Sequence, residues 1–87
     1  MTYEIVLKKS AAKELQAIPD RMRQKIVDAI QLLAINPYTD LLQIKKMKGA
    51  ESLYRFRIND YRVVYTIERM HIKIVIIKVG HRKDVYK

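Results

Sequence analysis

The spacing of apolar residues changes its period partway along the chain, and that change limits the fold more than any other feature. Met22, Ile26, Ala29, Ile30 and Leu33 recur at helical spacing, whereas Tyr54, Phe56 and Ile58 alternate with Arg55, Arg57 and Asn59. The first pattern builds one face of a helix and the second a half-buried strand. Proline and glycine occur only at Pro19, Pro37, Gly49 and Gly80, so they punctuate the chain. Residues 3–8 read as a short strand. Ser10 is placed to cap a helix over 11–17, with Leu15 and Ile18 on one face. Pro19 ends that helix, because the residue before a proline is pushed out of the helical region. Asp20 is placed to cap a second helix, which Pro37 stops. Residues 53–58, 61–68 and 71–79 follow as strands. The order β-α-α-β-β-β predicts an α+β fold, an antiparallel-rich four-stranded sheet with a helical hairpin packed on one face. No repeat or linker interrupts it, so residues 1–87 are expected to form a single domain.

At this length a domain buries roughly 60% of the surface its unfolded chain exposes. Hydrophobic residues at 49% and charged residues at 31% make that a globular composition. The absence of cysteine excludes disulfides, thiolate zinc sites and cysteine nucleophiles. His71 and His81 lack ligand spacing with a carboxylate cluster, so no metal and no cofactor is expected. The apolar run Ile74–Ile77 is far too short to span a bilayer. Glu4 followed by Lys8-Lys9 is not the order of a signal peptide. A cytoplasmic protein without a membrane partner is the expectation.

Lysine and arginine total 18 against nine acidic residues, a net charge of +9. Residues 1–47 hold eight basic and five acidic side chains, net +3, and residues 48–87 hold ten and four, net +6. A field of that sign attracts polyanions, and it is strongest in the strand-rich half. Asn59-Asp60 suits a two-residue hairpin turn, which would set Ile58 against Tyr61, Arg57 against Arg62, Phe56 against Val63 and Tyr54 against Tyr65. Arg55, Arg57 and Arg62 would then share the face away from the helices. Like charges opposed across a ladder are destabilising, and a phosphate would relieve them by bidentate contact. The alternative is an ordinary solvated face. A second hairpin at Arg69-Met70 would pair Val64 with Val75 and Arg62 with Ile77. That places three aliphatic residues beside the arginines, either for an apolar partner segment or because a central strand is buried on both faces.

The order of elements resembles the RelE/ParE superfamily of type II toxins. The segments that carry the likeness are Leu53-Tyr54-Arg55-Phe56-Arg57, Tyr61-Arg62-Val63-Val64-Tyr65 and Val79-Gly80-His81-Arg82-Lys83-Asp84-Val85-Tyr86. The superfamily joins ribosome-dependent messenger RNA nucleases to DNA gyrase inhibitors on one scaffold. The nuclease pattern has two basic residues on the second strand, an arginine on the third, an arginine past the last strand and a tyrosine near the end. It falls here on Arg55, Arg57, Arg62, Arg82 and Tyr86, and so favours an endoribonuclease. The resemblance implies metal-independent attack of a ribose 2′-hydroxyl on the adjacent phosphate, in messenger RNA held in the ribosomal A site. Arg57, Arg62 and Arg82 would stabilise the charge, and Tyr86, or alternatively His81, would remove the proton. Arg55, Lys48 and Lys83 would bind RNA. The sequence departs from the best-known pattern in having arginines where that pattern has two lysines, and in a shorter gap from Arg82 to Tyr86. The partners implied are the ribosome and a cognate antitoxin, acidic and partly disordered alone. The competing readings are a gyrase inhibitor and a catalytically inactive RNA-binding domain.

Overall fold

The computed structural model describes residues 2–47 and 53–81. Strand β1 (Glu4–Leu7) leads through α1 (Lys9–Gln16) and α2 (Asp20–Ile35) to the short β2 (Lys45–Lys46). Strands β3 (Leu53–Ile58), β4 (Tyr61–Glu68) and β5 (Lys73–His81) follow. All five lie in one sheet in the order β1-β5-β4-β3-β2, with β1 parallel to β5 and the other pairs antiparallel. The expected α+β architecture is present, with a fifth strand where four were predicted. The addition is β2, which sets Lys45 against Arg55 and Lys46 against Tyr54 at the sheet edge. The run Leu42-Gln43-Ile44-Lys45 explains it: Leu42 and Ile44 pack on the core while Gln43 and Lys45 are exposed.

Both predicted helix caps are displaced. Ser10 lies inside the first turn of α1, whose N-cap is Lys8 in an extended conformation with no side-chain hydrogen bond. Pro19 holds the N-cap of α2 and Asp20 is the first helical residue. The Asp20 carboxylate still favours the positive end of the helix and pairs with Arg23. The helix ends at Ile35, and Asn36 is extended, as the approach to Pro37 requires.

The apolar stripe of α2, Ile26, Ala29, Ile30 and Leu33, joins Ala11 and Ile18 in covering one face of the sheet. Phe56, Val63 and Tyr65 meet it from the β3–β4 hairpin. Tyr65 is fully buried, its ring 5.8 Å from Tyr54 in a near-parallel stack and 6.0 Å from Phe56. Its hydroxyl has no hydrogen-bond partner among the described residues. Burial pushes its ionisation well above the ordinary tyrosine range, and the neighbouring hydroxyls of Tyr54 and Tyr38 add to the shift.

The two hairpins differ. Across Asn59-Asp60 the pairing is residue for residue as expected, including Arg57 against Arg62 and Phe56 against Val63. Asn59 takes φ 52°, a left-handed conformation that asparagine tolerates. The second connection is longer than expected: a 3₁₀ turn over Arg69–His71, then Ile72 at φ 53° and ψ 49°. Glu68 therefore meets Lys73 and Thr66 meets Val75, replacing the predicted pairing of Val64 with Val75. One strand position further the register slips. Tyr65 faces Ile76 but Val64 faces Lys78, so Ile77 is an extra residue in a β-bulge. Parity along β5 reverses there: Ile74 and Ile76 reach the core before it and Val79 after it. Val64, on the arginine side, is only 6% exposed and lies outside the helix-facing core, between its cross-strand neighbours Arg55 and Lys78. The middle of β4 is thus buried on both faces.

Strand β1 ends at Leu7, opposite Ile76, so the last residues of β5 have no strand beside them on that edge among the described residues. Helix α1 supplies a substitute. The Glu14 carboxylate accepts the Val79 N–H at 3.1 Å and the Lys78 ammonium at 3.2 Å.

Candidate nucleic-acid interface

Alternation along β3 and β4 sends Tyr54, Phe56, Ile58, Tyr61, Val63 and Tyr65 to the helices, and the arginines, together with Val64, to the opposite face. Arg57 is exposed there, and Arg55 and Arg62 are half-buried. The exposed half of the segment leading into β2 brings Lys45 directly across from Arg55. Lys45, Arg55, Arg57 and Arg62 line a cavity of about 310 Å³, with Gln43 and Phe56 completing its wall. Two like-charged pairs therefore sit side by side in the ladder, Lys45 against Arg55 and Arg57 against Arg62. Such pairs oppose folding by an amount comparable to the ~0.2–1 kcal/mol of favourable cross-strand contacts. An anion in the cavity reverses the sign of that term, and guanidinium groups meet phosphate oxygens through paired hydrogen bonds.

The structure brings together three of the residues expected at the site, Arg55, Arg57 and Arg62. It does not bring His81 to them. His81 faces Tyr61 across the β4–β5 ladder, ring centroids 5.6 Å apart in an edge-to-face contact. That pair lies on the helix side of the sheet, against a separate cavity of about 270 Å³ that Glu14, Ala17 and Val79 also line. The reversal of parity at Ile77 accounts for the placement, since uninterrupted alternation from Ile76 would have turned residue 81 to the arginine face. Lys48, Arg82, Lys83 and Tyr86 lie outside the described residues. Two residues of the cavity, Lys45 and Gln43, were not anticipated. Their signal was present in the alternation of Leu42-Gln43-Ile44-Lys45, a strand-like pattern too short to stand out. Among the described residues no three His, Asp or Glu side chains group as metal ligands, and no helix is long and apolar enough to cross a membrane.

Comparison with known proteins identifies the family and the fold. The family model for the ParE toxin of the type II toxin–antitoxin system parDE matches residues 5–86. The chain belongs to the RelE/ParE superfamily of type II toxins. Toxin RelE3 of Methanocaldococcus jannaschii is 34% identical over 85 residues, covering 95% of this chain and 94% of that protein. Toxin RelE of Mycobacterium tuberculosis is 30% identical over 86 residues, covering 98% and 87%. Among solved structures, the archaeal RelE–RelB complex from Pyrococcus horikoshii superposes with a TM-score of 0.82 at 29% identity, covering 94% of this chain and 97% of the other. The fold of this RelE-like toxin thus presents its cationic cavity on the sheet face that the helical hairpin leaves uncovered.

Proposed function

We propose that this chain is a ribosome-dependent endoribonuclease that inhibits translation by cutting messenger RNA in the A site. The observation that carries the reading is the opposition of Arg57 and Arg62 across one ladder, beside Lys45 and Arg55, around a single cavity. The reaction is attack of the ribose 2′-oxygen on the adjacent phosphorus. The bond from phosphorus to the 5′-oxygen breaks, and that oxygen takes up a proton from solvent, leaving a 2′,3′-cyclic phosphate and a 5′-hydroxyl. Negative charge grows on the phosphoryl oxygens on the way, and Arg57, Arg62 and Arg82 are assigned to hold it. Arginine, with a pKa above ~12, cannot remove the 2′-proton. That task is assigned to Tyr86 in preference to His81, whose ring is engaged with Tyr61 on the other face. Arg55, Lys48 and Lys83 position the RNA backbone. The ribosome supplies the attack geometry, so free RNA is a poor substrate.

The neutralising partner in this reading is a cognate antitoxin, which the RelE–RelB complexes of relatives support; the basic charge of this chain calls for one that is acidic and partly disordered alone. Glutamate at Arg55, Arg57 or Arg62 weakens its binding if it covers the cavity. The deciding experiment maps 5′ ends on a short messenger RNA with and without programmed ribosomes. Cuts confined to the A site and reduced about 100-fold by Arg57→Ala or Arg62→Ala are expected. Intact RNA beside stalled gyrase–DNA complexes would replace the reading with gyrase inhibition. RNA bound but uncut would leave a binding domain.

A further inference from the structure

The cationic cavity does not stand alone. A second cavity of about 390 Å³ adjoins it, lined by Leu41, Leu42, Gln43, Arg57, Ile58 and Asn59. Gln43 and Arg57 belong to both. The two hollows differ in chemistry: the first is ringed by four cations, while the second sets three aliphatic side chains against two carboxamides and one guanidinium. We propose that the second cavity receives the nucleobase attached to the nucleotide whose phosphate occupies the first, and that Gln43 and Asn59 discriminate among bases. The proposal rests on the polyanion reading of the cationic cavity and deepens it.

Three physical arguments support this occupant. The volume falls in the ~300–1,000 Å³ range of small-molecule sites, at the end suited to one nucleoside. Single-stranded RNA is read by splaying a base out, covering its flat face with an apolar or guanidinium surface and meeting its edge with hydrogen bonds. Leu41, at 74% exposure, is an apolar side chain left uncovered, and the planar Arg57 group can hold phosphate on one side while stacking on the other. A carboxamide carries donors and an acceptor together, which is what distinguishing base edges requires. The wall is also fixed in place. Leu42 anchors in the core, the Leu41 N–H donates to Thr39 Oγ1 at 3.2 Å, and Asn59 Nδ2 reaches the Met22 sulfur at 3.9 Å.

The test compares ribose 5-phosphate with the four nucleoside 5′-monophosphates by methyl-detected titration of the full chain. The wild type is expected to bind its preferred nucleotide roughly five- to tenfold more tightly than ribose phosphate, with shifts at the Leu41 and Ile58 methyls. In Leu41→Ser, which leaves the core untouched, that ratio falls toward one. Gln43→Glu removes the amide donors and is expected to reorder the preference among the four nucleotides. Equal affinity for ribose phosphate and all nucleotides, or a preference that survives Leu41→Ser, would overturn the base site while leaving the cationic cavity intact. No binding of any phosphate would overturn both it and the polyanion reading beneath it.

Discussion

The two hairpins of the sheet share β4 yet are specified in different ways. The β3–β4 hairpin closes through two residues and runs in one register from end to end. The β4–β5 hairpin closes through a 3₁₀ turn and a left-handed Ile72, then slips by one residue at Ile77. Local chemistry sets the first: Asn59 accepts the left-handed turn, and alternation then fixes every side chain's face. Distant contacts set the second, where β1 pairs with β5 only as far as Ile76 and Glu14 takes over beyond it. The cationic cavity is built mainly on the locally specified hairpin, where register is set most tightly.

Single-residue deletions break this contrast most severely. Removing Arg57 while the turn is kept moves Phe56 opposite Arg62, off the core face. Losing a buried phenylalanine costs about 3–5 kcal/mol, most of the stability of so small a domain, and circular dichroism should report an unfolded chain. Removing Ile77 takes out only the extra residue, leaves Val79 opposite Val63, and should leave a cooperative urea transition. The turns give the next effect. Asn59→Val forces a β-branched residue into a left-handed conformation and is expected to cost about 1–2 kcal/mol, whereas Asn59→Gly stays close to wild type. At Ile72 the strain is already present, so Ile72→Gly should fall within about 1 kcal/mol of wild type, relief of strain offsetting lost burial.

A modest gain in stability belongs to a residue of β4, the strand shared by both hairpins. Tyr65→Phe deletes a buried hydroxyl with no protein partner among the described residues and should stabilise by about 1 kcal/mol. It should also alter behaviour in alkali. The folded-state pKa of Tyr65 is raised above its unfolded value of ~10, so its contribution is complete below that pH and is lost as pH climbs through the folded value. Urea midpoints measured above pH ~10 should therefore decline less steeply in Tyr65→Phe.

This contrast also explains what could be read in the sequence. The alternation of Tyr54, Phe56 and Ile58 with arginines, joined to Asn59-Asp60, carried the first hairpin and three residues of the cavity. The apolar run Ile74-Val75-Ile76-Ile77 holds no mark of a bulge, because four aliphatic residues fit either parity. The orientation of His81 was hidden for that reason. Ser10 and Asp20 look like caps by composition, but the helices begin where Lys8 and Pro19 take extended conformations. Lys45 and Gln43 were hidden because the alternation over 42–45 is too short for a periodicity to register, and only Lys45 falls within the two-residue β2.

The carboxylate of Glu14 bears on solubility. An open strand end is a template onto which a second molecule can extend the sheet, and the half-buried Glu14 carboxylate already occupies the Val79 N–H that such an addition would use. Helix α1 therefore acts as a gatekeeper against aggregation. Where Glu14 is replaced by alanine, the tip of β5 becomes a seed for edge-to-edge assembly, visible as concentration-dependent light scattering.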